Sequence, residues 1–155
     1  MTTHHPLMTM AEVQESLERR IPELEAEAQE IADDHWRYHF RSNAMLPARE
    51  KFRLNVWVRR RQMSLEIFWT HFVFITRGAS NKSAVRSKYI PKGSGHKYRT
   101  RSLTLRAKNL EIEKALEVED KMAKIRSEYN DVKQALKALK RAQQKAAQRT
   151  AMDLA

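Results

Sequence analysis

Cysteine is absent from the 155-residue sequence, and glycine and proline are scarce, with three and four residues respectively. Without thiols the chain has no disulfide framework, no cysteine-based zinc site and no thiol nucleophile. The few glycines disfavour a glycine-rich phosphate loop, and no apolar run approaches the roughly 18 residues of a membrane span. The N-terminal residues lack the basic start and apolar stretch of a secretory signal. We therefore expect a soluble, cytoplasmic protein that does not bind membranes.

Basic residues outnumber acidic ones by 30 to 19, which gives a formal net charge of +11. The excess is concentrated in the middle of the chain. Residues 1–48 contain 4 basic and 9 acidic side chains (net −5), residues 49–108 contain 16 and 2 (net +14), and residues 109–155 contain 10 and 8 (net +2). A basic block between two nearly balanced flanks predicts a binding surface for an anionic partner, carried on a scaffold.

The N-terminal flank has a helical pattern over residues 10–41, preceded by a flexible segment over 1–9. A capping box begins at Thr9, and apolar residues then recur at alternating steps of four and three. Pro22 interrupts this stripe and predicts a short helix over 10–20 followed by a longer one that starts at the proline. The stripe consists of Val13, Leu17, Ile21, Leu24, Ala28, Ile31, His35 and Tyr38.

The C-terminal flank repeats this spacing and predicts a long helix over 104–147 with a flexible tail over 148–155. We expect it to pack antiparallel to the N-terminal helix, which would cover about half of it and place acidic residues beside its basic last turns. The rest of the stripe would meet the sheet, water or a second copy of the chain, so a homodimer through the helical stripes is possible. The stripe consists of Val118, Met122, Ile125, Tyr129, Val132, Leu136 and Leu139; the basic residues are Lys137, Lys140, Arg141 and Lys145.

The basic block has the alternation of β-strands and predicts a three-stranded antiparallel meander over 50–90, followed by a basic loop over 91–103. In the first strand Phe52, Leu54, Val56 and Val58 alternate with Arg53, Asn55, Trp57 and Arg59. A hairpin at 60–62 leads to a second strand, a loop is expected over 76–83, and a third strand over 84–90. The predicted fold class is α+β: a single domain with an N-terminal helix, a three-stranded antiparallel β-meander and a long C-terminal helix packed antiparallel to the first helix.

The outer face of the first strand has side chains suited to nucleic acid. Arginines can contact phosphates or guanine, Asn55 can pair with adenine, and Trp57 can stack on a base or pack on a sugar. Arg60 and Arg61 extend the run at the hairpin, and the third strand and following loop add further cations. The alternative interpretation is a solvated face on which arginine stems cover Trp57. The candidate nucleic-acid-binding residues are Arg53, Asn55, Trp57, Arg59, Arg60, Arg61, Arg86, Lys88, Lys92, Lys97, Arg99 and Arg101.

Catalytic and metal-binding patterns are weak. His35 and His39 have the spacing of two ligands on one helix face, but no zinc-protease motif surrounds them, which favours packing roles. Two acidic residues in the basic block are too few for a two-metal nuclease centre, although a nuclease that uses Asp33 and Asp34 is conceivable. We find no serine-hydrolase, Walker or dinucleotide signature. We therefore expect a protein that is not an enzyme and that needs no metal or cofactor.

Four segments carry a resemblance: AEAQEIADDHWRY at 26–38, the predicted strand pair at 52–69, KYIPKGSGHKY at 88–98 and EDKMAKIR at 119–126. Together they resemble the MobI-like proteins of integrative and conjugative elements, over most of residues 20–127. The resemblance implies a bacterial auxiliary factor of conjugative DNA processing that acts at the origin of transfer with a relaxase. It includes no catalytic motif, and it transfers no functional residue to a particular position.

Charge, alternation and resemblance together favour a double-stranded-DNA-binding accessory protein of the relaxosome, with a conjugative relaxase as its partner. Two alternatives remain open. The helical stripes could form an oligomeric adaptor whose basic block docks an acidic protein, or the block could bind RNA, because the sequence does not distinguish RNA from DNA.

Overall fold

The chain folds into two long helices and a three-stranded sheet in the computed structural model, which describes residues 7–77 and 82–155. The predicted α+β class and its element order are confirmed. The expected flexible residues 1–6 and the middle of the expected 76–83 loop, residues 78–81, lie outside the described residues. The elements are α1 (Met10–Met45), β1 (Leu54–Arg61), β2 (Ser64–Arg77), β3 (Lys82–Tyr89), a short α2 (Thr100–Thr104) and α3 (Ile112–Asp153), with 3-10 turns at Ala48–Glu50 and Asn109–Glu111.

Helix α1 begins at the predicted capping box: the Thr9 hydroxyl accepts from the Glu12 amide at 3.2 Å, and the Glu12 carboxylate accepts from the Thr9 amide. The predicted break at Pro22 is wrong, because α1 continues through it to Met45. A proline inside a helix costs about 3 kcal/mol. Ile21 and Leu24, each 1% exposed, flank it. Burying each of these side chains stabilises by about 1.5–3 kcal/mol, which offsets the cost.

The two long helices pack antiparallel, as predicted. Gln14 bonds to Gln143 at 2.8 Å near one end of the pair, and Lys114 bonds to Asp34 at 3.1 Å near the other. Helix α1 has 36 residues and α3 has 42, so the expectation that α1 covers only half of α3 is wrong. The two stripes meet in one core, whose helical members include Leu24, Ala28, Ala32, Ala115, Val118, Met122 and Ile125. No helix in the described part of the chain could cross a lipid bilayer.

The sheet is an antiparallel meander in the order β1-β2-β3. Strand β2 continues through the apolar run that follows Trp69 and pairs with β1 from Leu54 to Arg61. Its second half, from Thr70 to Arg77, pairs with β3. Leu54, Val56, Leu65, Ile67 and Trp69 form the inner face, which is buried against the helices. The other face is therefore available for binding.

The C-terminal helix starts at Ile112 rather than at residue 104, and it extends to Asp153 through most of the expected flexible tail. Glu111 explains the late start. Its buried carboxylate accepts from the amides of Lys108 at 2.7 Å, Arg53 at 3.1 Å and Leu54 at 3.2 Å. These bonds hold the chain entering α3 against the start of β1. Burial raises the pKa of Glu111 above its usual value, although the backbone donors act in the opposite direction.

A buried ion pair joins α3 to the sheet and to the segment after β3. Glu119 is completely buried and accepts from Trp69 Nε1 at 2.9 Å, from the Tyr98 amide at 2.8 Å and from Arg126 at 2.9 Å. Arg126 also donates to the carbonyls of Ile67 at 3.0 Å and His96 at 2.9 Å. This cluster fixes residues 96–98 relative to β2, because each of its donors and acceptors has a defined partner.

Candidate nucleic-acid interface

The outer face of the sheet is open and aromatic. Cross-strand pairing places Phe68 opposite Trp57, and Val85 opposite Phe74. Trp57 is 40% exposed, Phe74 52%, Val85 55% and Tyr89 60%. These four side chains, three of them aromatic, form an exposed apolar surface rather than a core.

Arginines lie on this aromatic surface. The guanidinium carbon of Arg53 is 5.1 Å from the centroid of the Phe74 ring, and that of Arg59 is 5.4 Å from the Phe68 ring. Arg59 also forms an ion pair with Glu66, its cross-strand partner, and its Nε donates at 2.8 Å. Sequence alternation predicted the positions of Arg53, Trp57 and Arg59 on the outer face, and the structure places them there.

The prediction that Asn55 projects from this face to pair with adenine is wrong. Asn55 has no exposed surface, and its amide reaches only the Arg53 carbonyl, at 3.5 Å. Trp57 is the reason. Its Nε1 donates to the hydroxyl of Thr70, the cross-strand partner of Asn55, at 2.7 Å. The indole therefore lies across this part of the face, where Trp36 of α1 also packs against it at 5.1 Å.

The three arginines at the hairpin point in different directions. Arg60 lies opposite Leu65 on the inner face and forms an ion pair with Glu25 of α1. Arg59 is on the outer face. Arg61 is exposed at the tip, next to a two-residue turn in which Gln62 has a φ of 54°. Of the three, only Arg61 has no ion pair among the described residues. The triplet therefore does not act as one cluster.

The cations of β3 and of the following loop are exposed but dispersed. Arg86 and Lys88 lie opposite Val73 and His71, so they are on the other side of the sheet from Trp57. The structure does not bring them together with the outer arginines. Lys97 pairs with Asp120 at 2.5 Å. Lys92 donates to the Gly95 carbonyl. Arg99, which directly precedes α2, and Arg101, within α2, are exposed.

Sequence reasoning missed a basic cleft between the hairpin tip and α3, which we call the hairpin cleft. It has a volume of about 390 Å³ and is lined by Arg61 together with Lys133, Lys137 and Lys140. Tyr129 anchors the tip to α3 by donating to the Met63 carbonyl at 3.1 Å. The sequence led us to expect acidic residues of α1 beside Lys137, Lys140, Arg141 and Lys145, but none of these four has an ion pair within the described residues. The four-and-three spacing of the cleft lysines on one helix face was the signal available in the sequence.

A second concavity, which we call the edge groove, lies beside the first half of β2. Its volume is about 700 Å³, and its lining includes Arg59, Phe68, Tyr89, Lys92, His96 and Tyr98. It exists because β3 pairs with β2 only from Thr70 onward, so Leu65–Phe68 have no strand on that side. Tyr98 is buried, and burial raises its pKa to about 12, so its hydroxyl stays protonated. The oxygen of this hydroxyl accepts a hydrogen bond from the Trp69 amide at 3.2 Å.

The two helical histidines are in the core. His35 and His39 are each 3% exposed, and the His35 ring packs edge-on against Trp69 at 5.2 Å. Burial lowers the pKa of His35 to about 4 and also lowers that of His39. In the described part of the chain, no group of three or more histidine, aspartate or glutamate side chains is placed to hold a metal ion. The packing interpretation of these histidines agrees with this geometry.

The sheet, the edge groove and the hairpin cleft all lie within a region that matches a known protein family. A family model described as MobI protein matches residues 24–140, about three quarters of the chain. The match starts in α1 and ends in α3 at the last lysine of the cleft. Searches of curated proteins and of solved structures find no match.

Proposed function

The chain belongs to the MobI family, and we propose that it is a non-enzymatic accessory protein of conjugative transfer that binds double-stranded DNA at an origin of transfer. Family membership indicates the accessory role in mobilisation. DNA binding and assistance to a relaxase are the further steps of the proposal. By holding or bending the duplex, the protein would help a relaxase reach its nick site.

The hairpin cleft is the observation that carries this proposal. It joins Arg61 of the basic block to three lysines of α3, none of which is neutralised by an acid among the described residues. Four cations around one cleft suit a polyanion better than a single point ligand, and double-stranded DNA carries one charge per about 1.7 Å of its axis. Phosphate contacts of this kind position a protein on a duplex.

The outer face supplies the groups that could read bases. Arg59 lies on the part of the sheet where only β1 and β2 pair, and Arg53 directly precedes β1. A two-stranded ribbon can enter a major groove. Arg59 would have to exchange Glu66 for a guanine. Such an exchange favours specific over non-specific DNA, since the ion pair is lost in both cases but only a matching base replaces it.

The test is a fluorescence anisotropy titration with a labelled duplex that carries the origin of transfer, at several salt concentrations. In one variant the four cleft cations, Arg61, Lys133, Lys137 and Lys140, are replaced by Gln. A control with the same loss of charge replaces Arg19, Arg41, Lys124 and Arg149, which are exposed and outside the cleft. Both variants have a formal net charge of +7 instead of +11.

We expect the cleft variant to lose about tenfold or more in affinity, and the slope of log affinity against log salt to become shallower by about 3 to 4. The control should stay within about threefold of the parent protein, because distant surface charges act only through a screened field. Equal losses in both variants would mean that the net charge attracts DNA without a defined site. An unchanged cleft variant would remove the cleft from the interface.

The adaptor and the RNA-binding protein are separate outcomes of the same titration. A protein that ignores duplex DNA at low salt but binds an acidic protein would be an adaptor. Stronger binding of an RNA duplex of the same sequence would favour RNA. The helical stripes give the adaptor little support, because most of their central residues are already buried within one chain. Val13, Leu17, Leu136 and Leu139, which are partly exposed, lie towards one end of the helical pair.

A further inference from the structure

The edge groove has the size and the rigidity of a ligand site. Its volume of about 700 Å³ lies within the range of small-molecule pockets, about 300–1,000 Å³. One wall is held by Arg126, which binds the carbonyls of Ile67 on β2 and of His96 on the opposite side. The floor is Tyr98, whose hydroxyl and amide are both hydrogen-bonded. The groove is therefore formed before any ligand arrives.

The chemistry of its rim combines flat rings with positive charge. The centroids of Phe68 and Tyr89 are 6.0 Å apart and their planes are inclined by 46°. Arg59 lies over Phe68, and Lys92 and His96 belong to the opposite rim. Glu66 is the one acid among the lining residues, and Arg59 already pairs with it. Aromatic rings beside cations match a ligand that has both a planar ring and a phosphate.

We propose that the edge groove holds an unstacked base of single-stranded DNA, with its ring against Phe68 and Tyr89 and its phosphate near Lys92. This inference rests on the proposed function, since DNA must first be bound at the neighbouring surface. A base inside a duplex is covered on both faces by its neighbours and could not enter the groove. The site would therefore favour a locally opened segment over the intact duplex. Charge complementarity argues for this occupant, because the groove opens within the segment of net charge +14.

The test compares two matched substitutions of exposed rings. Tyr89→Leu removes an exposed ring from the groove, and Phe40→Leu removes an exposed ring of α1, outside the groove and the sheet. Each is titrated with a single-stranded oligonucleotide and with the corresponding duplex. A second measurement places 5-iododeoxyuridine in the single strand and maps the photocrosslink. Because both positions are exposed, we expect both variants to fold, which far-ultraviolet circular dichroism checks.

Tyr89→Leu should weaken single-strand binding by about tenfold, in line with the loss of one stacking contact, and leave duplex binding within about twofold. Phe40→Leu should change neither single-strand nor duplex binding, and the crosslink should map to Phe68 or Tyr89. Equal losses in the two variants, or a crosslink elsewhere, would overturn the groove as the site while leaving duplex binding intact. An RNA strand bound tenfold more tightly than the DNA strand would overturn the assignment to DNA. A parent protein that binds neither the single strand nor the duplex would refute the proposed function itself.

Discussion

At the scale of single residues, Glu119 joins three parts of the fold: β2, the segment after β3 and α3. Its carboxylate accepts from Trp69, Tyr98 and Arg126, and it has no exposed surface. Replacing Glu119 by Ala leaves Arg126, which is 8% exposed, without its counter-charge. Removing one partner of a buried pair costs about 3–5 kcal/mol, and we expect that loss in the free energy of unfolding, measured by urea denaturation.

Glu117 provides the control for this prediction. It is exposed and pairs with Lys121 at 3.3 Å, one turn along α3. Glu117→Ala should cost no more than about 0.5 kcal/mol, because exposed helical pairs contribute little. If the two substitutions had similar costs, the buried cluster would not be a main source of stability.

His35 makes stability depend on pH in a defined direction. In the folded chain its pKa is lowered from 6.5 to about 4, mainly by burial. Below pH 6.5 the unfolded chain therefore takes up a proton that the folded chain does not bind, and the free energy of unfolding falls as the pH falls towards 4. This one group should contribute a loss of about 2 kcal/mol between pH 7 and pH 5.

Urea denaturation of the parent protein and of His35→Gln at several pH values measures this contribution. The variant should lose less stability on acidification, although His39 and His71 leave a residual slope because their pKa values are also lowered. Asp34 and Glu128 have lowered pKa values, so they affect stability mainly below pH 5. Parallel pH profiles for the two proteins would contradict the assignment to His35.

Alternation in the sequence predicted which residues of β1 face the core, but it did not predict which outer residues reach solvent. Leu54 and Val56 are buried as expected. Extending the same alternation to Arg60 would have placed it on the inner face, where it meets Glu25. Asn55 could not have been placed, because its burial depends on a hydrogen bond between Trp57 and Thr70, which lie on different strands.

At the scale of secondary-structure elements, Pro22 is a weak point in α1 that the surrounding packing tolerates. Pro22 is exposed, and no core contact requires it. Pro22→Ala restores a backbone donor and should raise the free energy of unfolding by about 1–3 kcal/mol, after allowing for the more flexible unfolded chain. Thermal denaturation followed by circular dichroism measures the change. Glu30→Ala, at another exposed position of α1, should change it by less than about 0.5 kcal/mol. A destabilised Pro22→Ala protein would mean that the proline is needed for the shape of α1.

The start of a helix or strand could be predicted where nearby residues determine it. It could not be predicted where residues far away in the sequence determine it. The capping box at Thr9 and the strand alternation are local. The start of α3 depends on Glu111, whose partners Arg53 and Leu54 are 58 and 57 residues away in the sequence. Helix propensity alone predicted a start at residue 104, because nothing in the nearby sequence indicates the hydrogen bonds of Glu111.

At the scale of the whole molecule, the sheet and the helices share one core and should unfold together. Trp69 of β2 touches His35 of α1 and bonds to Glu119 of α3. Tryptophan fluorescence and helical circular dichroism should therefore give the same urea midpoint. Two separated midpoints would show that the helical pair is stable without the sheet.

The fold class could be predicted from the sequence, whereas the arrangement of charges could not. Periodicity gives each element its buried face, and these faces fit together in few ways. The hairpin cleft, in contrast, depends on where the tip of β1–β2 lies along α3, which the contact between Tyr129 and Met63 decides. That contact joins residues 66 positions apart. Charge counted along the sequence therefore assigns the two sides of the cleft to different segments.

The exposed aromatic face also bears on how such a protein can evolve. Phe74, Val85 and Tyr89 are more than half exposed, while Leu65, Ile67 and Trp69, on the opposite side of the sheet, belong to the core. Substitutions at exposed positions usually change stability by less than about 0.5 kcal/mol. The DNA preference that we propose for this chain would therefore change by successive substitutions on one side of the sheet. Each intermediate would still fold, because the inherited scaffold is encoded on the other side.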